Sequence, residues 1–167
     1  GQRVTSALAP LNLATSQVVN AKQSTAITAE FTLDAKAEVA ATAVPRTPVT
    51  TYGTTFKAYD AQGLEVPVGL YFSKTANNQW DVYTSVNGAA PTATGTSVSF
   101  DANGTLTAGG SQTLALSSPN GTFNVSLDLS KSKQVNAEFA VVDLQQDGYT
   151  TGPVSYTHLT LPTNREV

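Results

Sequence analysis

Between Tyr59 and Tyr83 apolar and polar positions alternate with a period of two. Val66, Val68, Leu70 and Phe72 fall on one face, and Glu65, Pro67, Gly69, Tyr71 and Ser73 on the other. Further on, Trp80, Val82, Thr84 and Val86 alternate with Gln79, Asp81, Tyr83 and Ser85. That period over this length is the signature of half-buried strand rather than helix. Asn77-Asn78 between the runs supplies turn chemistry, because Asn tolerates left-handed backbone angles, and Asp60 and Gly63 do the same before the first run. The stretch predicts a hairpin with an aromatic core face. Trp80 and Phe72 fall on the apolar faces and read as core. Tyr71 and Tyr83 fall on the opposite faces, and are the candidate exposed interface residues, either as a cross-strand pair or as part of a protein contact.

The same alternation recurs along the chain. Ile27, Ala29, Phe31 and Leu33 share one face of a predicted strand over Thr25 to Leu33, and Thr54 to Tyr59 is a further strand leading into the hairpin. Phe123, Val125, Leu127 and Leu129 alternate cleanly with Thr122, Asn124, Ser126 and Asp128. Thr96 to Phe100 and Thr113 to Ser117 read as short strands, the second at an edge. Between them lie Asn87-Gly88, Asp101 to Gly104, Gly109-Gly110 and Asn120-Gly121, all turn or breaker signals. Ala40 to Thr51, with Pro45 and Pro48, and Ala89 to Gly95 read as loops. Asp34 to Glu38 could start a helical turn, but no amphipathic continuation follows. Ser130 to Asn136 is polar and reads as exposed, before an apolar run over Ala137 to Leu144. Gly1 to Lys22 is weakly patterned and reads as an incoming extended segment and linker. Many short strands with turn signals between them predict an all-β protein, a flattened β-barrel or sandwich of mostly antiparallel strands.

Composition narrows the function classes. At 167 residues the chain can bury a core of one ordinary domain. A net charge of −3 with 13% charged residues offers no basic stripe for a phosphate backbone, so no nucleic-acid partner is expected. No apolar run reaches the length of a membrane span, and no signal peptide is evident, so no membrane insertion is expected. The absence of Cys excludes disulfides and thiolate metal sites.

Candidate chemistry is sparse. Asp60-x-x-Gly63 and Asp101-x-x-Gly104 resemble fragments of calcium loops, but lack the spaced carboxylates and distal Glu that such a loop needs. Both read as turns, and no metal or cofactor is expected. The sole His is His158, in a C-terminal stretch set aside below, so Ser-His-Asp and Cys-His arrangements are not available. Paired carboxylates remain formally open among Asp60, Glu65, Asp81, Asp101 and Asp128, but these sit at turns or on polar strand faces. An enzyme is not expected, and no catalytic residue is assigned. Three matches to the N-glycosylation pattern begin at Asn103, Asn120 and Asn124, the first two better explained as turns.

At the central hairpin the chain resembles a known family. Tyr59-Asp60-Ala61-Gln62-Gly63, Leu70-Tyr71-Phe72-Ser73-Lys74-Thr75 and Asn78-x-Trp80-x-Val82-Tyr83 resemble the middle domain of bacterial flagellar hook proteins. Ala21 to Thr25 with Phe31 to Ala35 resembles the stretch leading into that domain, and Leu144-Gln145-Gln146-Asp147-Gly148-Tyr149-Thr150-Thr151-Gly152 the stretch leading out of it. Phe100-Asp101-x-x-Gly104-x-Leu106 also fits. The pieces stand in family order over about residues 8 to 152. The family's N-terminal helix and C-terminal continuation are not present, so Gly1 looks like an internal start. Val154 to Thr163 instead resembles read-through of a transposon-end sequencing adapter, and 154–167 is set aside as non-native. The resemblance divides the chain into an inner-domain end and linker (1–22), a middle β domain (23–146) and a return toward the inner domain (147–153). It implies a structural subunit of the extracellular hook, the flexible tube that couples motor to filament as a universal joint. Its implied partners are copies of itself in a helical tube, and the distal rod, hook cap and hook-filament junction proteins. The alternative is a β-sandwich module of another surface or appendage protein, such as an adhesin, binding a glycan through exposed aromatics.

Overall fold

The computed structural model describes residues 18–153. The expectations for the first seventeen residues and for 154–167, His158 among them, lie outside the described residues. Twelve strands follow in order: β1 (Val18–Val19), β2 (Ala26–Asp34), β3 (Gly53–Tyr59), β4 (Glu65–Ala76), β5 (Gln79–Val86), β6 (Thr92–Phe100), β7 (Leu106–Ala108), β8 (Ser111–Ser118), β9 (Gly121–Asp128), β10 (Lys133–Val135), β11 (Ala140–Gln146) and β12 (Gly152–Pro153). Among the described residues there is no α-helix, only one 3-10 turn at Val49–Thr51. The described residues are all-β, as the alternation predicts.

The strands form two five-stranded sheets and one two-stranded ribbon. The first sheet is an antiparallel meander, β3-β4-β5-β6-β7. Its β4–β5 hairpin turns at Asn77-Asn78, where Asn78 takes a φ of 63°. The second sheet is organised on β2, which pairs antiparallel with β11 on one edge and parallel with β9 and β10 on the other, while β8 completes it beyond β9. The ribbon joins β1 to β12. β8 is an edge strand, as expected, and two parallel pairings interrupt an otherwise antiparallel fold.

One core lies between the sheets. Ile27, Phe31 and Leu33 of β2 meet Val66, Val68, Leu70 and Phe72 of β4, Trp80 and Val82 of β5, and the apolar faces of β8 and β9. Phe31 and Phe72 meet edge to face with centroids 4.8 Å apart, the geometry that the aromatic quadrupole favours.

Two local expectations are corrected, the extent of the loop before β6 and the exposure of residues 130–136. β6 begins at Thr92, inside the stretch read as a loop. Thr92, Ala93, Gly95 and Thr96 are exposed, so no apolar face announces the strand, and it forms through ladder pairing with β5 around a bulge. Residues 130–136 are not simply exposed: Ser132 and Gln134 are buried and β10 runs through them. The Ser132 hydroxyl accepts from the Phe31 amide at 3.0 Å, in the gap that β9 and β10 leave along β2. Asp34 to Glu38 makes a single turn, the Ala37 amide donating to the Asp34 carbonyl at 3.1 Å, and no helix continues from it, as expected. The Lys74 ammonium donates to the Ala35 and Ala37 carbonyls at 3.0 and 2.9 Å, and the Asp34 carboxylate caps the Lys36 amide at 2.8 Å. Within the run from Ala137 to Leu144, Val141 and Val142 are exposed at a β-bulge, and only Phe139 and Leu144 pack on the core.

Candidate interaction surface and the neck of the domain

The ladder of β4 with β5 sets Tyr71 directly opposite Tyr83. They are a cross-strand pair on the outer face, and both are half-buried. Tyr71 also lies opposite Gly53 of β3. Its ring lies down over Gly69, where a Cβ would sit 2.7 Å from a ring carbon and from the phenol oxygen. A glycine two residues before an aromatic on the same face is what lets the ring lie flat. Beside Tyr71 is an open groove of about 340 Å3, lined by Thr55, Pro67, Gly69, Ala89 and Pro91 among others. Tyr83 does not line it, and faces Ala93 across β6 instead. The two tyrosines are thus in register, but only one borders the groove.

The carboxylates singled out in the sequence organise turns. Asp101 accepts the Asn103 and Thr105 amides, both at 2.9 Å. Asp60 is buried and accepts four bonds. One oxygen takes the Gln62 and Leu64 amides, closing the β3–β4 turn, and the other takes the Ser118 hydroxyl and the Asn120 amide of the β8–β9 hairpin. Burial opposes its charge, but these four donors outweigh it and hold its pKa at about 2. Asp60 therefore ties a turn of one sheet to a turn of the other, with every lone-pair direction engaged. Trp80 is tied similarly: its indole N–H donates to Gln134 at 2.8 Å, and the Gln134 amide donates to Asn78 at 2.8 Å. Among the described residues no three His, Cys, Asp or Glu side chains converge as a metal site would require.

A further cluster was invisible to periodicity. The stretches 21–25 and 144–152 meet where the chain enters and leaves the domain. Lys22 and Tyr149 exchange both backbone bonds, at 3.0 and 2.9 Å. Asp147 accepts the Thr25 amide at 2.7 Å, the Ala26 amide at 3.1 Å, the Thr25 hydroxyl and the Lys22 ammonium at 2.9 Å. Desolvation opposes its charge, but these donors hold its carboxyl well below the usual range. Ser24, fully buried, donates to Gln146 at 2.6 Å and accepts the Tyr59 amide at 2.9 Å. The Thr150 hydroxyl donates to the Gly63 carbonyl at 2.8 Å. Leu144 and Tyr149 apart, the residues of these two stretches are polar or small and show no apolar alternation, so their signal lies in the motifs that resemble those of hook proteins.

A family model described as the flagellar basal body protein FlaE D2 domain matches residues 32–149. The chain belongs to that family. Most of the D2 match is the two-sheet body, and it also takes in Asp147, Gly148 and Tyr149 of the neck. The flagellar hook protein FlgE of Salmonella typhimurium is 35% identical over 111 residues, covering 61% of this chain and 27% of that protein. FlgE of Escherichia coli is 37% identical over 108 residues, covering 59% and 26%. The chain thus spans about a quarter of the length of these curated relatives. Among solved structures, the Helicobacter pylori flagellar hook protein FlgE2 aligns with a TM-score of 0.44 and 18% identity, over 61% of this chain and 26% of that one.

Proposed function

We propose that this D2 chain is the outer β domain of a flagellar hook subunit, a structural part with no catalytic role that works outside the cell. The observation that carries this reading is the family match across the body of the fold, in a domain whose incoming and outgoing strands leave side by side at one pole. Such an arrangement suits a module inserted in a longer chain. On this reading residues 23–146 are the body, 1–22 the linker and 147–153 the return. Its partners are further copies of itself in a tube built from head-to-tail contacts, with rod, cap and junction proteins at the tube's ends. Tyr71 and Tyr83 contribute to contacts between copies. Their half-buried rings, and the apolar groove beside Tyr71, support that role.

An antibody raised against the folded chain tests the assignment. On intact cells of the encoding bacterium, immunogold should mark only the short curved segment between cell body and filament. Label spread over the cell surface would overturn the hook reading in favour of an adhesin. The tyrosines are tested by Tyr83→Ala, which should alter hook curvature or swimming while the domain keeps its unfolding midpoint. A loss of folding with unchanged curvature would remove them from the contact.

A further inference from the structure

The neck combines a very short ladder with a dense cluster of side-chain bonds. β1 and β12 form a ladder of two residue pairs, Val18 with Pro153 and Val19 with Gly152. Because the ladder is antiparallel and both free ends leave from the same side, pulling the ends apart loads its bonds one after another. A two-pair ladder loaded in that way resists little, and Val18 and Val19 are both exposed, outside the core. Next comes the reciprocal pair of Lys22 and Tyr149. Behind it stands Asp147. Its four donors come from three residues of the incoming strand, Lys22, Thr25 and Ala26, while Asp147 itself belongs to the outgoing one. The strands therefore cannot part there bond by bond; one carboxylate must release several charge-assisted bonds together. Ser24 adds a second cross-link to Gln146 and a third to Tyr59 of the first sheet. Gly148 fits against Ser24 so closely that a Cβ would lie 2.7 Å from the Ser24 nitrogen, which interlocks the two strands sterically. Immediately behind the clasp, Gln146 pairs with Ile27 at the start of the β2–β11 ladder and of the core.

We infer that the Asp147 and Ser24 network is a mechanical clasp. It joins the incoming and outgoing crossings into one unit, stops tension between the chain ends from unzipping β2 from β11, and places any pivot of the domain outside it, at β1 and β12 or beyond. The geometry of this chain alone carries the inference; the hook reading supplies only a source of load.

Single-molecule pulling on the full chain tests it. The sequence has no Cys, so handles can be attached uniquely. One pair of handles goes on the two chain ends. A second goes on Ala90→Cys and Ala102→Cys, exposed positions outside the network. Asp147→Asn keeps the shape of the side chain but removes its charge and half its acceptor capacity. With handles at the ends, its opening force should fall clearly below that of the unsubstituted chain. Between residues 90 and 102 it should not change. Hydrogen exchange gives a second readout: the Thr25 and Ala26 amides should exchange about tenfold faster or more, while β4 amides stay as protected as before. Unchanged Trp80 emission verifies folding. If Asp147→Asn does not fold, Lys22→Ala removes a single donor and should show the same directional loss at smaller size. Equal loss in both pulling directions would make the cluster an ordinary stabiliser, and no loss in either would leave the ladders carrying the load. Both results overturn the clasp, and neither depends on where the antibody labels the cell.

Discussion

The β4–β5 hairpin and the return segment from Ser130 to Gln146 both close the same core, by opposite means. In the hairpin alternate side chains are apolar and buried over most of its length: Val66, Val68, Leu70 and Phe72 on one strand, Trp80 and Val82 on the other. The return segment contributes Phe139 and Leu144 only at the margin. Its buried positions are Ser132 and Gln134, which work by accepting and donating hydrogen bonds. Hydrophobic burial is non-directional and tolerates small shifts, whereas a buried polar group is useful only if its partner stands at the right distance. The hairpin therefore supplies the bulk of the driving force, and the return segment fixes how the second sheet sits against it.

The largest expected effect lies in the hairpin. Phe72→Ala empties a site packed against Phe31 and should destabilise the fold by about 3–5 kcal/mol. Denaturant unfolding followed by the emission of Trp80, the only tryptophan, measures it. A loss below about 1 kcal/mol would mean that the hairpin does not dominate. Next comes the return segment. Gln134→Ala leaves the buried Trp80 indole N–H without its acceptor, and should cost about 1–3 kcal/mol. If Gln134 were the solvated residue that its sequence context suggests, the change would be within about 0.5 kcal/mol.

The different legibility of the two regions follows from the same contrast. The period of two marked β2, β4, β5 and β9 with their inward faces, because apolar side chains must face the core whatever their neighbours are. Asn78 and Asn87 marked their turns, because both adopt positive φ. The start of β6 at Thr92 was not legible, since its side chains stay exposed and only ladder bonds define it. Ser132 and Gln134 were illegible for a different reason. A buried polar residue looks like a surface one until its partner, a hundred residues away in the case of Ser132 and Phe31, is located. Asp147 stands in a recognisable motif, but its role depends on the incoming strand beside it. Tyr71 and Tyr83 stand opposite each other in the β4–β5 ladder, and the part that Gly53 plays beside the Tyr71 ring needs the pairing of β3 with β4.

Asp60 is a polar device at a turn of the hairpin's own sheet. Its folded pKa of about 2 lies below the ordinary 3.8, so its stabilisation is fully present above about pH 5 and is lost as pH falls toward 2. The size is on the order of 2 kcal/mol. Asp147 is depressed in the same direction and adds to the same acid limb. Stability measured from pH 7 to pH 2 should therefore be flat at first and then fall. Asp60→Asn should lower the plateau and shrink the fall. A variant with the same acid limb as the parent would show that the ties between the two turns do not depend on the charge.

The smallest expected effect lies at the bulge of β11, and it separates an apolar residue from an apolar role. Val142 is an exposed valine with half of its surface open to water, on a strand that pairs only with β2 among the described residues. Val142→Thr should change stability by no more than about 0.5 kcal/mol. The same substitution at Val68, which is buried in the hairpin, introduces a hydroxyl with no partner and should cost about 1–3 kcal/mol. If both substitutions cost the same, Val142 would be packed in solution, against the end of its own sheet or against a second molecule. Dilution distinguishes these cases, because only the second depends on protein concentration. A bulge on a free edge turns the strand away from further pairing, so a concentration-independent difference between the two valines is the expected result.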